Sequence, residues 1–556
     1  MCYCWRGERR KARMLSRKSA LIVAVNILSA FVGWIGLLVI ARLWGGFAPT
    51  AVGVIGFGMA FVGMFNVIAD LGFSVAHVKR ISEGKDLGEC IGTYATIKIL
   101  LTGVMVALVI GGIAIWKYVL HNEFFDASKE SVIYVFILYY IFSNLALIAL
   151  QTFVGRQEIA KREVSRAFEP FVRVPLMILV AFAGVTGIAM IAPELGIDEI
   201  SPLTWPAFLS PIQEFIAAHA VGALAMSYAI GIGAVFLVAT WLLRRYPIKR
   251  YNKELAKSYL VFALPVMLLS ITSVISLNID KVMLGYFWSF KEVGYYFSVQ
   301  RITILLLAIP MAVGTVLFPT ISEYHARNNI AGIKEVTHSA ERYISMVAIP
   351  LIAFVIIFPK PIINIVLSRA FLPATSTLAM LTIYVFVLSL TRPYSSLIIG
   401  INRPDIAAKI GVGICIANIG LNYLFIPEWG LLSPIGINGP VGAAAATALS
   451  QLVGFVGLRV AAMRLTGIKV MQTNTPRHIV AGVVMGIGLY YLNSLVPLVR
   501  WYHLIGFALV GIAVYVGVLV IIREFKKRDL KFFLDLAHPV GMLEYIKSEL
   551  KRKTRR

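Results

Sequence analysis

Charge is scarce in this sequence, and cysteine scarcer. Charged residues make up 14% of the 556 positions, against roughly 25% in an ordinary soluble domain, which excludes a water-soluble globular body of this length. The four cysteines, Cys2, Cys4, Cys90 and Cys415, lack the close, repeated spacings of a disulfide framework or a zinc site. No G-x-x-x-x-G-K-[ST] loop occurs, so the chain carries no ATP-phosphate grip of that type. H-E-x-x-H and G-x-S-x-G are absent too, which removes the metalloprotease and hydrolase signatures. The eight histidines are scattered. The sequence therefore predicts no enzyme, no metal site and no cofactor.

What is present is apolar. The chain is 59% hydrophobic, with a mean hydropathy of +0.82. Window after window carries about 20 apolar residues, enough to cross a hydrocarbon core of about 30 Å as a helix. Hydropathy places fourteen spans, near 19–41, 49–71, 91–116, 131–153, 169–192, 220–243, 259–281, 293–317, 343–367, 377–399, 408–426, 441–463, 477–498 and 503–522. The first, "SALIVAVNILSAFVGWIGLLVIA", is too long for a secretory signal and lacks an A-x-A-like site after it, so it is read as a retained span. Met14 is a second candidate start. The class is all-α and polytopic.

The net charge of +24 is distributed unevenly. Bases lead into span one (Arg6 to Lys18) and follow span two (Lys79, Arg80, Lys85), span four (Arg156, Lys161, Arg162, Arg166) and span six (Arg244 to Lys257). The opposite loops "PELGIDEISPLTWPAFLSPIQEFIAAHAVG" and "PEWGLLSPIGINGP" contain no Lys or Arg. By the positive-inside rule both termini are cytoplasmic, in a cell membrane crossed an even number of times. The basic excess is read as topology and attraction to anionic membrane lipids, with no nucleic-acid partner, since no nucleic-acid-binding module accompanies it.

Sliding the sequence on itself brings out a duplication with an offset of about 240 residues. Val52-Gly53 meets Val293-Gly294, and Ile81-Ser82-Glu83 meets Ile321-Ser322-Glu323. "VGRQEIAK" (154–161) resembles "IGINRPDIAAK" (399–409), and "AVGALAMSYAIGIGAVFL" resembles "PVGAAAATALSQLVGFVGL". The organisation expected is a basic tail (1–18), an N-lobe of spans one to six (19–243), a basic linker (244–258), a C-lobe of spans seven to twelve (259–463), two extra spans (464–522) and a basic amphipathic tail (523–556). Parallel repeats of this kind are a recurring plan of secondary transporters, with substrate between the halves.

Those features, with "IDKVMLGYFWSFKEVGYYFSVQRI", "NVIADLGFSVAHVKRIS" and "GPVGAAAATALS", resemble the Wzx-type oligosaccharide flippases of the polysaccharide transporter branch of the MOP superfamily, over about residues 15 to 522. The tail resembles those of archaeal members. The resemblance implies a MATE/MOP-like fold and, as cargo and partner, a lipid-linked oligosaccharide joined through phosphate or diphosphate to a polyprenyl carrier. That cargo is turned from the cytoplasmic to the outer leaflet with no chemical reaction. Glycan-assembly proteins are further candidate partners.

Charges inside spans cost at least about 2.5 kcal/mol on insertion scales and normally face a wet cavity or a partner. Arg301 sits about eight residues into span eight, roughly 12 Å deep at 1.5 Å per residue. Tyr295, Ser298, Arg301, Ala308, Ala312 and Thr315 share its face, as Tyr94, Lys98 and Thr102 share one of span three. Arg301, Lys98 and Arg173 are the first candidates to hold phosphate, for which cations are suited. Arg392 joins them nearer a span end, and Arg42 and Lys281 stand at the outer ends of the first helix of each repeat. Asp280 is a candidate for ion coupling or for pairing with Lys281 or Arg301. Asp70 is a second candidate for ion coupling or charge pairing, though as a residue at the cytoplasmic end of span two near Lys79 and Arg80 it is read first as an end charge. The competing function is a MATE-like exporter of organic cations, which would favour buried carboxylates. A membrane glycosyltransferase would need a soluble domain or a long acidic outer loop.

Overall fold

The computed structural model describes residues 25–26, 28–119, 127–191, 210–307, 317–318, 320–468, 474–526 and 529–530. Cys2, Cys4, Met14, the Ala308 to Thr315 part of span eight, the acidic stretch of the first long outer loop and the tail beyond Leu530 lie outside these. Among the described residues every regular element is helical and no strand occurs. Many large apolar side chains face outward, among them Leu100 at 68% exposed and Leu237 at 67%, which suits lipid as solvent and not water.

The helices are Leu28–Leu43 (α1), Ala48–Phe65 (α2), Phe73–Ser82 (α3), Leu87–Ala114 (α4), Ala127–Gly155 (α5), Ile159–Ile191 (α6), Ser210–Ala218 (α7), Ala220–Leu243 (α8), Lys253–Phe287 (α9), Phe290–Leu306 (α10), Ile330–Ile357 (α11), Pro359–Val366 (α12), Thr375–Gly400 (α13), Pro404–Phe425 (α14), Gly439–Thr466 (α15), Asn474–Leu495 (α16) and Trp501–Ile521 (α17). Eleven described helices are long and apolar enough to cross a membrane. They coincide with expected spans two to six and nine to fourteen; the other three expected spans fall on α1, α9 and α10. Local chemistry sets several starts. Asp86 caps α4 by accepting from the Glu89 N–H (2.9 Å), and Asn252 caps α9 through the Glu254 and Leu255 N–H groups.

Two compact units divide between Gly294 and Tyr295. Within the first, α4 packs on α5, both α5 and α6 pack along α8, and α9 lies against α2, α3 and α4. Within the second, α11 packs on α13, and both α13 and α14 pack along α15. Spans three to six and nine to twelve thus pair in the same way. α16 and α17 pack together, with α16 also against α11.

The repeat extends to single residues. A Cβ on Gly155, at the end of α5, would sit 2.9 Å from Ile81 Cβ, and one on Gly400, at the end of α13, 2.6 Å from Ile321 Cγ2. Two residues later Gln157 and Asn402 turn left-handed, with φ of 60° and 61°. In each unit that residue's N–H closes on the carbonyl three back, from Gln157 to Val154 (2.8 Å) and from Asn402 to Ile399 (3.1 Å). A left-handed residue after a helix satisfies the last carbonyls and reverses the chain. That sequence match is thus also a match of backbone.

The Gly53–Gly294 match marks a second close approach, inside the first unit. A Cβ on Gly53 would collide with the Phe290 carbonyl, and one on Gly294 with that of Pro49. Because the obstacle is backbone, no rotamer change relieves it. Gly53→Ala and Gly294→Ala are each expected to destabilise by about 1–3 kcal/mol, read as a lower melting temperature of the purified protein.

Candidate functional site

The second span is broken. Hydropathy runs unbroken over 49–71, yet α2 stops at Phe65 and α3 restarts at Phe73. Between them Leu71 (φ 44°) and Gly72 (φ 84°) are left-handed, a backbone state that averaging of side-chain polarity cannot register. Lys98, on α4, reaches into this break. Its Nζ donates to the Ala69 carbonyl and to Asp70 Oδ1, each at 2.9 Å. Lys98 is wholly buried, while the Asp70 side chain is 29% exposed. Asp70 does not pair with Lys79 and Arg80, because α3 carries those bases away toward Glu83.

A polar chain continues from Asp70. Ser74 donates to it, and Ser74 Oγ lies 2.7 Å from the Tyr94 hydroxyl. The His77 ring stacks on Tyr94 with centroids 4.2 Å apart. Its two nitrogens meet the Tyr259 hydroxyl (3.0 Å) and Thr152 Oγ1 (2.9 Å). Ser74, His77, Tyr94, Thr152 and Tyr259 are all buried, so these bonds replace those that water would otherwise supply. The face Tyr94, Lys98, Thr102 is buried as one stripe, its partners come from α3 and the break, and His77 carries the chain on to α5 and α9.

The other expected cations are placed differently from one another. Arg173 is buried on α6, with Nε bonded to Glu169, Nη1 3.0 Å from Met177 Sδ and the guanidinium 4.6 Å from the Tyr228 ring centroid. Gly33 on α1 leaves it room: a Cβ there would lie 3.1 Å from Nη2. Arg301 is exposed on α10, its guanidinium 4.8 Å from the Phe297 ring centroid. Arg392 is half-buried on α13, and its buried Nε has no hydrogen-bond partner among the described residues. Arg42 is exposed at the end of α1, whereas Lys281 and Asp280 are both buried on α9. Lys281 Nζ donates to the Leu277 carbonyl.

Two clusters of the second unit escape a reading by hydropathy. Glu341 is fully buried on α11, accepting from Arg459 Nη1 (3.0 Å) and from the Tyr394 hydroxyl (2.5 Å). Span nine read from 343 leaves Glu341 in a loop, but the helix starts at Ile330. Thr337, Glu341 and Ser345, a buried stripe at four-residue steps, are the signal that would have found it. The other cluster ties the start of the basic tail down: Arg342 grips Glu524 (2.7 Å) and Asp529 (2.8 Å), and Arg477 adds a second bond to Glu524 (3.1 Å). The Arg342 hydrogen bonds pull the Asp529 carboxyl down to about 2, from an ordinary value of about 3.9. A depressed carboxyl stabilises above its unfolded value, so this docking persists above about pH 4 and is lost as pH falls toward 2. Arg342→Ala is expected to release residues 522–530 already at neutral pH, seen as faster amide hydrogen exchange there.

A family model described as "Polysaccharide biosynthesis protein" matches residues 207–376. The chain is 24% identical over 446 residues to a probable low-salt glycan biosynthesis flippase, Agl15, of Haloferax volcanii, covering 80% of this chain and 82% of that protein. Among solved structures it is similar to the lipid II flippase MurJ in an inward closed conformation, with a TM-score of 0.66 and 16% identity over 91% of this chain and 98% of that one. It is also similar to a MATE family multidrug transporter of the MOP superfamily in an inward-facing conformation, with a TM-score of 0.60 and 15% identity over 82% of this chain and 99% of that one. At such identities the structural likeness is one of fold alone, the all-helical fold of these two transporters.

Proposed function

We infer that the chain is a Wzx-type flippase of the MOP superfamily, moving a polyprenyl-(di)phosphate-linked oligosaccharide from the cytoplasmic to the outer leaflet. The observation that carries this reading is the similarity to a glycan-biosynthesis flippase along 80% of the chain. The charge arrangement supports it against export of organic cations. Such an exporter needs a carboxylate free to meet its cargo. Here Asp70, Glu163, Glu169 and Glu341 are each held by a base of the protein itself: Lys98, Arg162 with Arg166, Arg173 and Arg459.

Fourteen spans form two six-helix lobes and an extra pair, both termini are cytoplasmic, and transport proceeds by alternating access between the lobes. No bond is made or broken. Arg301, Arg173 and Arg392 hold the phosphate on its way, Arg392 with a donor to spare, while Lys98, held by Asp70 and the Ala69 carbonyl, adds its charge from beneath. Arg42 and Lys281 line the outer end, and Asp280 offsets the charge of Lys281. Desolvated phosphate is stabilised by guanidinium because the pairing is planar, bidentate and permanently charged. The test is liposome reconstitution with a fluorescent polyprenyl-diphosphate oligosaccharide. Protein-dependent flipping is the expected result, and export of an organic cation without flipping would replace this reading by the MATE-like one.

A further inference from the structure

The break in the second span has the donors of a cation site, and a cation of the protein stands in it. Unwound carbonyls beside a carboxylate are the groups with which broken membrane helices coordinate monovalent ions. Here the Ala69 carbonyl and the Asp70 carboxylate converge on one point, and that point is occupied by the Lys98 ammonium, 2.9 Å from each. The donors are fixed. Leu71 and Gly72 hold the left-handed backbone beside them, Asn144 pins Asn66 at the head of the break (2.7 Å), and Ser74 bonds Asp70. On the other side Thr102 Oγ1 bonds the Lys98 carbonyl at 2.7 Å. Asp70 is 29% exposed while Lys98 is sealed beneath it, so an ion arriving from outside would meet Asp70 and find its place taken.

We propose that residues 66–72 form a monovalent-cation site filled permanently from within, the Lys98 ammonium serving as its ion. This half of the protein then works without drawing Na+ or K+ at the break. Removing the ammonium while leaving Ala69 and Asp70 in place converts the break into a site that a free ion fills.

The test uses the full-length protein in detergent, with melting temperature as the readout and ionic strength held constant with choline, whose quaternary nitrogen has no N–H to donate and is shielded by its methyl groups. Lys98→Ala is expected to melt lower than the unchanged protein in choline chloride, and to rise by roughly 2 °C or more when choline is replaced by Na+, K+ or methylammonium. The unchanged protein and Lys98→Ala/Asp70→Asn are expected to melt alike in all four salts, the first because the site is full and the second because its carboxylate is gone. The proposal is overturned if Lys98→Ala melts at one temperature in every salt, if it aggregates in every salt, or if the unchanged protein or the double variant gains as much from Na+ as Lys98→Ala does. The readout does not involve transport, so it stands apart from the flippase reading.

Discussion

Glu341→Ala is expected to leave little folded protein. Arg459 is 8% exposed and the Tyr394 hydroxyl lies in a wholly buried residue; both direct hydrogen bonds at Glu341. Truncating the carboxylate strands a positive charge in an apolar interior. Breaking a buried pair from one side costs about 3–5 kcal/mol, a large part of the 5–15 kcal/mol by which a domain is ordinarily stable. The surrounding rings do not compensate: Arg459 lies 4.9 Å from the Tyr394 centroid and 5.3 Å from that of Phe455, contacts worth about 2 kcal/mol at most. Glu341→Gln keeps an acceptor for Tyr394 and should fall between. Glu341→Met/Arg459→Met removes both charges and should recover most of the loss, since an apolar pair of similar volume is often neutral or better. The measurement is the monodisperse fraction and melting temperature after purification. A single Ala variant as stable as the unchanged protein would show that the pair does not hold this unit together.

Arg301→Ala is expected to do the opposite, sparing the fold and slowing transport at limiting cargo. Arg301 is exposed, and substitutions at exposed positions usually change stability by under about 0.5 kcal/mol. A hydrogen bond to a charged group contributes about 1.5–3 kcal/mol, so loss of its grip on phosphate should weaken cargo binding by roughly 10- to 150-fold. The defect should appear at low cargo density and shrink as cargo is raised. Arg301→Lys keeps the charge but not the bidentate fork, and should recover part of the rate. Equal flipping by Arg301→Ala and the unchanged protein at limiting cargo would remove Arg301 from the path.

The all-helical, membrane-spanning class was legible because hydropathy is a property of the chain that lipid enforces directly. Matching Gly155 to Gly400 and Ile81 to Ile321 by sequence located a contact and a left-handed turn present in both units. The stripe Tyr94, Lys98, Thr102 was legible as a polar face, since a period of about four residues brings its members together. Its partners were not. Asp70 lies in a break that apolar averaging passes over, and Ser74, His77, Thr152 and Tyr259 come from three other helices. Glu341 was hidden by a span boundary set by hydropathy alone, although its helix begins at Ile330 and is polar at first. In the tail the many bases drew attention from Glu524 and Asp529, the two acids that fix its start to Arg342. Pairings between distant helices depend on tertiary geometry, which a single sequence does not state.

The central claim is that a lipid-linked anion crosses past cations fixed between apolar helices. Its most direct test is the rate at which a fluorescent polyprenyl-diphosphate oligosaccharide changes leaflets in proteoliposomes containing the unchanged protein, with empty liposomes as reference. The account predicts a protein-dependent rate that falls toward the empty-liposome value in Arg301→Ala at limiting cargo. Folded, unchanged protein that leaves the glycolipid in its original leaflet while exporting an organic cation would contradict it.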